Sequence, residues 1–326
     1  MEKMQRFSKF AWVVLAYNVL VVVWGAYVRA SGAGAGCGDH WPDCNGQIVP
    51  VNGTLKTLIE FSHRSTSGIA GLLVLAMVFL AFRACPRGHL ARRAAGASLI
   101  FMVIEALIGA VLVKKRLVTD NDSAARAMAI AIHLVNTLLL LGALTLTAWW
   151  SRESALTLGK RQWFTNRKTS LLVGAIVLAV IFLNASGAIT ALGATLFPIT
   201  SLSEGLARGL SPKHFLESLI WVHPIAAVIT VLAGSFVAIV VGLSNKHSGL
   251  SKLSRNQVIL FGVQLLLGGL NFLLHAPTWL QLLHLMVADL TWINLIVFFE
   301  VASSRKEEGT ARTEPEGYGE MAASVH

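Results

Sequence analysis

Three side chains capable of chemistry stand together at the start of a long apolar run, in the segment EFSHR (residues 60–64). Glu60 is suited to proton transfer or to stabilising a developing positive charge, and the imidazole of His63 is suited to binding a metal. Glu60 lies one helical turn before His63, so its carboxylate would lean over whatever His63 binds. The alternative is that Glu60 only opposes the helix dipole at a helix start.

The elements that must position these groups are membrane-spanning helices. The chain has 326 residues, of which 55% are hydrophobic and 13% are charged, whereas a soluble domain is about 25% charged. Its apolar runs are long and continuous, which predicts an all-α integral membrane protein. The eight predicted spans are roughly 9–30, 59–82, 94–114, 126–150, 169–190, 217–243, 256–274 and 280–300.

The distribution of basic residues predicts how the chain is oriented. With the N-terminus in the cytoplasm, eighteen Lys and Arg fall on the cytoplasmic side and eight on the opposite side, as expected for a bacterial-type plasma membrane protein with both termini inside. The net charge of +10 therefore reflects topology. No basic patch with interleaved aromatic residues indicates a nucleic-acid partner.

Similar motifs recur in the two halves of the chain. The segment at 60–64 resembles IWVHP at 220–224, EALIGA at 105–110 resembles QLLLGG at 264–269, and Gly32 is paired with Gly187. These matches predict two parallel four-helix bundles, residues 1–158 and 159–302. Residues 303–326 are polar and are predicted to be a disordered cytoplasmic tail.

The histidines follow this repeat. Of ten, six fall in predicted loops or the tail and are interpreted as solvated, whereas four lie at similar depth in even-numbered spans: His63, His133, His223 and His284. One such histidine could simply bond a neighbouring helix. Two facing pairs favour two haem groups with axial imidazoles, because bare zinc or copper would need further ligands.

The two predicted pockets differ in their acidic residues. The second half has Ile220 where the first has Glu60, which predicts one reactive haem and one that only carries electrons. Arg64 is a candidate contact for a haem propionate, although it could equally reach the interface by snorkelling. Glu105 is interpreted as a proton-path group or as a hydrogen-bond partner for the neighbouring bundle.

A cysteine pair lies in the first outer loop, in the segment GAGCGDHWPDCNGQ. Cys37 and Cys44 face the predicted oxidising side, which favours a disulfide capping the first pocket, either as a staple or as a redox-active pair. A zinc site of both thiols with His40 is a weaker alternative. Cys85 lies on the other side and has no predicted partner.

Together these motifs resemble the haem A synthase family over about residues 10–300. The resemblance rests on ExxHR at 60–64, CGDHWPDCNG at 37–46, HLVN at 133–136, VHP at 222–224 and HL at 284–285. It implies oxidation of a methyl group of haem O to a formyl group, giving haem A for terminal oxidases. His63 and His133 would hold haem O, His223 and His284 would hold a permanent haem b, and Glu60 would be catalytic. The chain lacks the second cysteine pair that many members carry between the fifth and sixth spans.

Two other functions account for part of this pattern. A di-haem b-type electron-transfer cytochrome explains the four histidines but not Glu60 or the cysteine loop. A transporter with a histidine proton relay would favour broken helices near the membrane centre. The synthase reading also predicts partners, namely haem O synthase and oxidase assembly factors, because a lipophilic haem is poorly transferred through water.

Overall fold

The fold consists of long helices, as predicted for an all-α integral membrane protein. The structure is a computed structural model, and it describes residues 2–152, 161–163, 167–244 and 248–306. Eight of its segments are long and apolar enough to cross a membrane. The elements in chain order are α1 (Glu2–Ala30), α2 (Leu55–Ala84), α3 (Leu90–Lys114), α4 (Ala124–Trp150), β1 (Arg161–Trp163), α5 (Arg167–Leu196), α6 (Leu202–Leu210), α7 (Phe215–Ser218), α8 (Val222–Ser244), α9 (Ser248–Leu273), α10 (Thr278–Ser303) and β2 (Ser304–Lys306).

Several helices begin before the predicted spans because polar residues cap them. The side chain of Thr54 accepts a hydrogen bond from Thr57 N at the start of α2, and Ser123 accepts one from Arg126 N at the start of α4. His89 caps α3 in the same way through Nδ1, 3.1 Å from Ala91 N. His89 is fully buried, so its interpretation as a solvated loop histidine is wrong.

The sixth membrane-spanning segment, Phe215–Ser244, is interrupted. α7 ends at Ser218 and α8 begins at Val222, whereas the sequence predicted one continuous span. Pro224 explains the break, because it has no N–H to donate to the carbonyl one turn earlier. His223 therefore lies in the first turn of α8, while His63 lies within the unbroken helix α2.

The long helices pack in two closed rings. α1 contacts α2, α2 contacts α3, α3 contacts α4 and α4 returns to α1; α5, α8, α9 and α10 are connected in the same way. The rings meet where α4 contacts α5 and α10, and Trp292 Nε1 donates to Leu138 O across this contact at 2.7 Å. The predicted domain boundary at 158/159 lies outside the described residues.

The two ends of the helices carry different connections. We call the end that bears the residue 31–54 connection the loop end. At the opposite end β1 pairs with β2 in an antiparallel arrangement. Residues 304–306 therefore form a strand, which corrects the prediction of a disordered tail from 303, and residues 307–326 lie outside the described residues.

Candidate functional site

The two histidines of the second pair lie close together with their rings perpendicular. The rings of His223 and His284 have their centroids 6.4 Å apart with perpendicular planes. Nδ1 of His223 lies 3.1 Å from Leu183 O and 3.2 Å from Ser186 Oγ. An Nδ1–H bonded to that carbonyl fixes the tautomer and leaves Nε2 available as a ligand.

The spacing of these rings agrees with a metal between them. Two imidazole–metal bonds of about 2.0–2.1 Å separate the ligating nitrogens by about 4 Å, which places the ring centres about 6 Å apart. The observed centroid distance of 6.4 Å is close to this value.

The first histidine pair differs from the second in its Nδ1 contacts. His63 and His133 are near enough to interact electrostatically. Nδ1 atoms of both, and of His284, are buried without a hydrogen-bond partner. An unsatisfied buried polar atom costs about 1–3 kcal/mol, and these three Nδ1 atoms lack the carbonyl partner that fixes the tautomer of His223. Two pairs of imidazoles on facing helices suit haem iron.

Glycines set how closely α1 approaches His63 and how closely α5 approaches His223. A Cβ atom on Gly25 would lie 2.8 Å from Cε1 of His63, and one on Gly187 would lie 2.9 Å from Cε1 of His223. Gly25, and not Gly32, is therefore the structural counterpart of Gly187. The predicted pairing was displaced by two helical turns because the shared Ala-Ser-Gly sequence occurs at a different depth in α1.

Glu60 is buried, and both of its carboxylate oxygens accept hydrogen bonds. It is 3% exposed, and its Oε2 accepts from Cys37 N at 2.8 Å. Its Oε1 accepts from Nη2 of Arg64 at 2.5 Å. Arg64 also donates through Nη1 to His40 O at 2.7 Å and to Asp43 O at 2.6 Å. These partners account for the position of Arg64, and its contact with a propionate stays a prediction.

The cysteine loop is thereby fastened over the first histidine pair. Cys37 and Cys44 form a disulfide, which confirms the predicted bond. Because it uses both thiols, the zinc alternative with His40 is wrong. Within the described ranges, no three or more His, Cys, Asp or Glu side chains are grouped so as to hold a metal ion.

The same loop has a second anchor at its exposed edge. Arg116 Nη2 donates to Asp39 Oδ2 at 2.8 Å. The hydrogen bond from this guanidinium holds the pKa of Asp39 below its ordinary value. The pair ties the disulfide loop to the connection between α3 and α4.

Glu105 supports the first histidine pair from within the same ring of helices. Its carboxylate accepts from Asn136 Nδ2 and from Thr137 Oγ1, both at 2.5 Å, and lies 3.4 Å from Nδ1 of His133. The predicted contact with the neighbouring bundle is therefore wrong. In the second half Gln264 takes this place, and its Nε2 donates to His284 O at 3.1 Å.

The two histidine pairs, Glu60 and Glu105 line one cavity of about 1,320 Å³. Its wall includes Glu60 and all four membrane histidines. This volume exceeds the roughly 300–1,000 Å³ of ordinary small-molecule sites, as a place for two large flat ligands requires. The wall also contains Arg29 and Arg126, which were not among the predicted site residues. The sequence signal that could have identified them is a basic residue inside the end of a membrane span.

Comparisons with known proteins identify the family of the chain. The sequence profile of the COX15-CtaA family, described as "Cytochrome oxidase assembly protein", matches residues 8–296. A Thermus thermophilus protein named "Protoheme IX farnesyltransferase" is 45% identical over 322 residues, which cover 98% of this chain and 51% of that protein.

Shorter matches carry a different name. A Bacillus mycoides protein named "Heme A synthase" is 43% identical over 111 residues, which cover 34% of this chain and 36% of that protein. A Bacillus cereus protein of the same name is 42% identical over 111 residues, with the same coverage. The chain thus spans about half the length of the Thermus relatives that it matches.

Proposed function

The chain belongs to the COX15-CtaA family of cytochrome oxidase assembly proteins, and from this premise we propose that it is a haem A synthase. It is a multi-pass membrane protein, with eight segments among its described residues that are long and apolar enough to cross a membrane. In this proposal the substrate is haem O, and one of its methyl groups is oxidised to the formyl group of haem A (–CH3 + H2O → –CHO + 4 H⁺ + 4 e⁻), with the electrons passing to an external electron acceptor.

The observation that carries the proposal is the inequality of the two histidine pairs. The buried carboxylate of Glu60 lies on the same face of α2 as His63 in the cavity wall. The corresponding position before His223 is Ile220, which has no acid–base group. One pair is thus equipped for chemistry on its ligand, and the other pair is equipped only to hold one.

The residues of the chain have distinct roles in this reaction. His63 and His133 hold the substrate haem, and His223 and His284 hold a haem b. When bound, haem b supplies one-electron transfer. Cys37 N and Arg64 orient the carboxylate of Glu60, which stabilises positive charge beside the substrate ring or takes a proton from water.

The name of the Thermus relatives raises farnesyl transfer as a second candidate function. Transfer from a prenyl diphosphate usually requires carboxylates that hold magnesium against the phosphates. No such cluster is present in the part of the chain that the structure describes. The Thermus protein that bears this name is about twice as long as the region that matches this chain. We therefore assign the match to the half of that protein that aligns with the four histidines of this chain.

A di-haem electron-transfer cytochrome is the remaining alternative, and the variant Glu60→Gln separates it from a synthase. We expect Glu60→Gln to lower conversion of haem O to haem A by about 10²–10³-fold, as when one preorganised electrostatic group is removed, while haem b stays bound. The assay is chromatography and mass measurement of haems extracted from protein purified from cells that make haem O.

The matched control is Glu204→Gln, because Glu204 is a partly exposed carboxylate of α6 that is paired with an arginine, as Glu60 is, but is not part of the cavity lining. It should convert haem O as the unmodified protein does. Haem b alone in every preparation, with no farnesylated haem, would favour the cytochrome. Full conversion of haem O to haem A by the Glu60→Gln variant would show that Glu60 has no role in the reaction.

A further inference from the structure

Two arginines in the cavity wall have no acidic partner among the described residues. Arg29, in the last turn of α1, donates through Nη1 to Ala191 O and Thr195 Oγ1, both at 2.8 Å, and through Nη2 to Gln281 Oε1 at 3.3 Å. Every one of these acceptors is neutral. Within the described part of the chain, Arg29 therefore forms no ion pair with an acidic side chain.

Arg126, in the first turn of α4, is also enclosed. It is 3% exposed, and its Nη1 donates to the carbonyls of Thr119 and Asn121. Its Nε is buried without any hydrogen-bond partner. Asp120 acts on it electrostatically without forming an ion pair. A buried guanidinium with an unused donor is costly unless an anion completes the site.

The two guanidinium groups act on one region of the cavity. They are close enough to repel each other electrostatically, and both line the cavity wall. Arg29 lies one turn closer to the loop end than Gly25, which faces His63, and Arg126 lies two turns closer to it than His133. Both positive charges therefore lie on the loop-end side of the first histidine pair.

The guanidinium of Arg29 reaches α5 and α10 of the second half, but the second half does not repeat this charge at its own corresponding positions. Counted from Gly187 and His284, the corresponding positions are Ala191 and Pro277. Arg64, the arginine that the sequence suggested for an anionic ligand, already donates to Glu60 and two loop carbonyls. Arg208 lines the same cavity but forms ion pairs with Glu204 and Glu217.

We propose that Arg29 and Arg126 form a carboxylate-binding site that holds the propionate groups of the haem in the first histidine pair. This inference rests on the proposed function. Guanidinium groups bind carboxylates through paired, charge-assisted hydrogen bonds. Two fixed cations on the loop-end side orient the porphyrin with its propionates toward that end. The reacting ring edge is then placed by the propionates and not by the imidazoles alone, since axial ligands leave rotation about the iron axis free.

The test is a spectroscopic titration of the full-length protein in detergent, purified from cells that make no haem O and so carry only resident haem. The probes are haem O and haem O dimethyl ester, which has the same ring and tail but no carboxylate charge. We expect the unmodified protein to bind haem O at least about tenfold more tightly than the ester, as for loss of one partner of a buried charge pair.

Arg29→Gln and Arg126→Gln should each weaken haem O binding to about the level of the ester. Arg29→Lys and Arg126→Lys keep the charge and should retain a preference for haem O. Arg208→Gln is the matched control, because its charge is already neutralised, and it should keep the full preference. An unchanged content of resident haem shows that each variant is folded.

The outcomes separate this inference from the proposed function. If all variants prefer haem O as strongly as the unmodified protein does, the arginine site is refuted and the haem site stands. Equal loss of preference in Arg208→Gln would also refute it, since a general positive field would then be responsible. If the unmodified protein binds neither probe saturably, both proposals fail.

Discussion

The close contact between Gly25 and His63 predicts that one methyl group disables one haem site and spares the other. In Gly25→Ala the new Cβ would lie 2.8 Å from Cε1 and 3.0 Å from Nε2 of His63. Ordinary contact begins at 3.4 Å, so the imidazole must move by about 0.6 Å (3.4 − 2.8), since the helix backbone of α1 cannot yield easily.

The expected magnitude follows from the cost of overpacking. Forcing an extra methyl group into a filled site costs about 1–3 kcal/mol, which corresponds to about 5–150-fold in ligand affinity if the whole cost falls on His63. Alanine is favoured over glycine in a helix by up to about 1 kcal/mol. The fold should therefore persist while the ligand site weakens.

The assay is the content of each haem in purified full-length protein. Gly25→Ala should lose farnesylated haem and keep haem b, and Gly187→Ala, with its Cβ 2.9 Å from His223 Cε1, should show the reverse. Gly96→Ala and Gly262→Ala are matched controls because a Cβ at either meets no atom within 4 Å. Normal contents of both haems in Gly25→Ala and Gly187→Ala would refute the view that these contacts position the histidines.

Three further predictions concern the surroundings of the site. Cys85 is buried, and burial raises its thiol pKa to about 11; mass measurement after maleimide treatment at pH 7 should show no adduct on the native protein, one after unfolding, and three after unfolding with reduction. Glu105→Gln should raise the midpoint potential of the first-half haem in a redox titration, because the carboxylate beside His133 makes that imidazole a stronger donor; an unchanged potential would deny this role. Because the pKa of Asp39 is lowered, its pair with Arg116 stabilises the loop above the ordinary carboxyl pKa, and this stabilisation is lost as pH falls through the lowered value. Hydrogen exchange of residues 31–54 should accelerate in that acidic range. The variant Asp39→Asn lacks the ion pair at every pH and should show no such acceleration.

The sequence was sufficient for the membrane helices and for the histidine pairs. A helix that crosses lipid needs about 20 apolar residues, and this requirement makes the eight spans visible without any tertiary information. The pairing of histidines followed from the repeat, which preserved their depth in the membrane. The Glu60–Arg64 ion pair also had a sequence signal, because the residues are four apart on one helix.

Other features depend on contacts that residue spacing does not encode. The approach of Gly25 to His63 is set by how α1 packs on α2. The similarity of the Ala-Ser-Gly motifs therefore predicted Gly32, and not Gly25, as the counterpart of Gly187. The anchoring of Glu60 by Cys37 N joins groups 23 residues apart through an irregular loop. The partners of Arg29 lie on α5 and α10, more than 160 residues away, and no local pattern predicts them.

The hydrogen bond from Cys37 to Glu60 has a consequence for genetic experiments. The donor is the backbone N–H of Cys37, and its sulfur is not involved. Replacing either cysteine leaves that donor in the chain but releases the loop that carries it. A cysteine variant without activity is therefore no evidence for electron flow through sulfur, because the same defect arises from a displaced carboxylate. Epistasis resolves the ambiguity: cysteine and Glu60 substitutions that share one pathway should combine with less than additive effect.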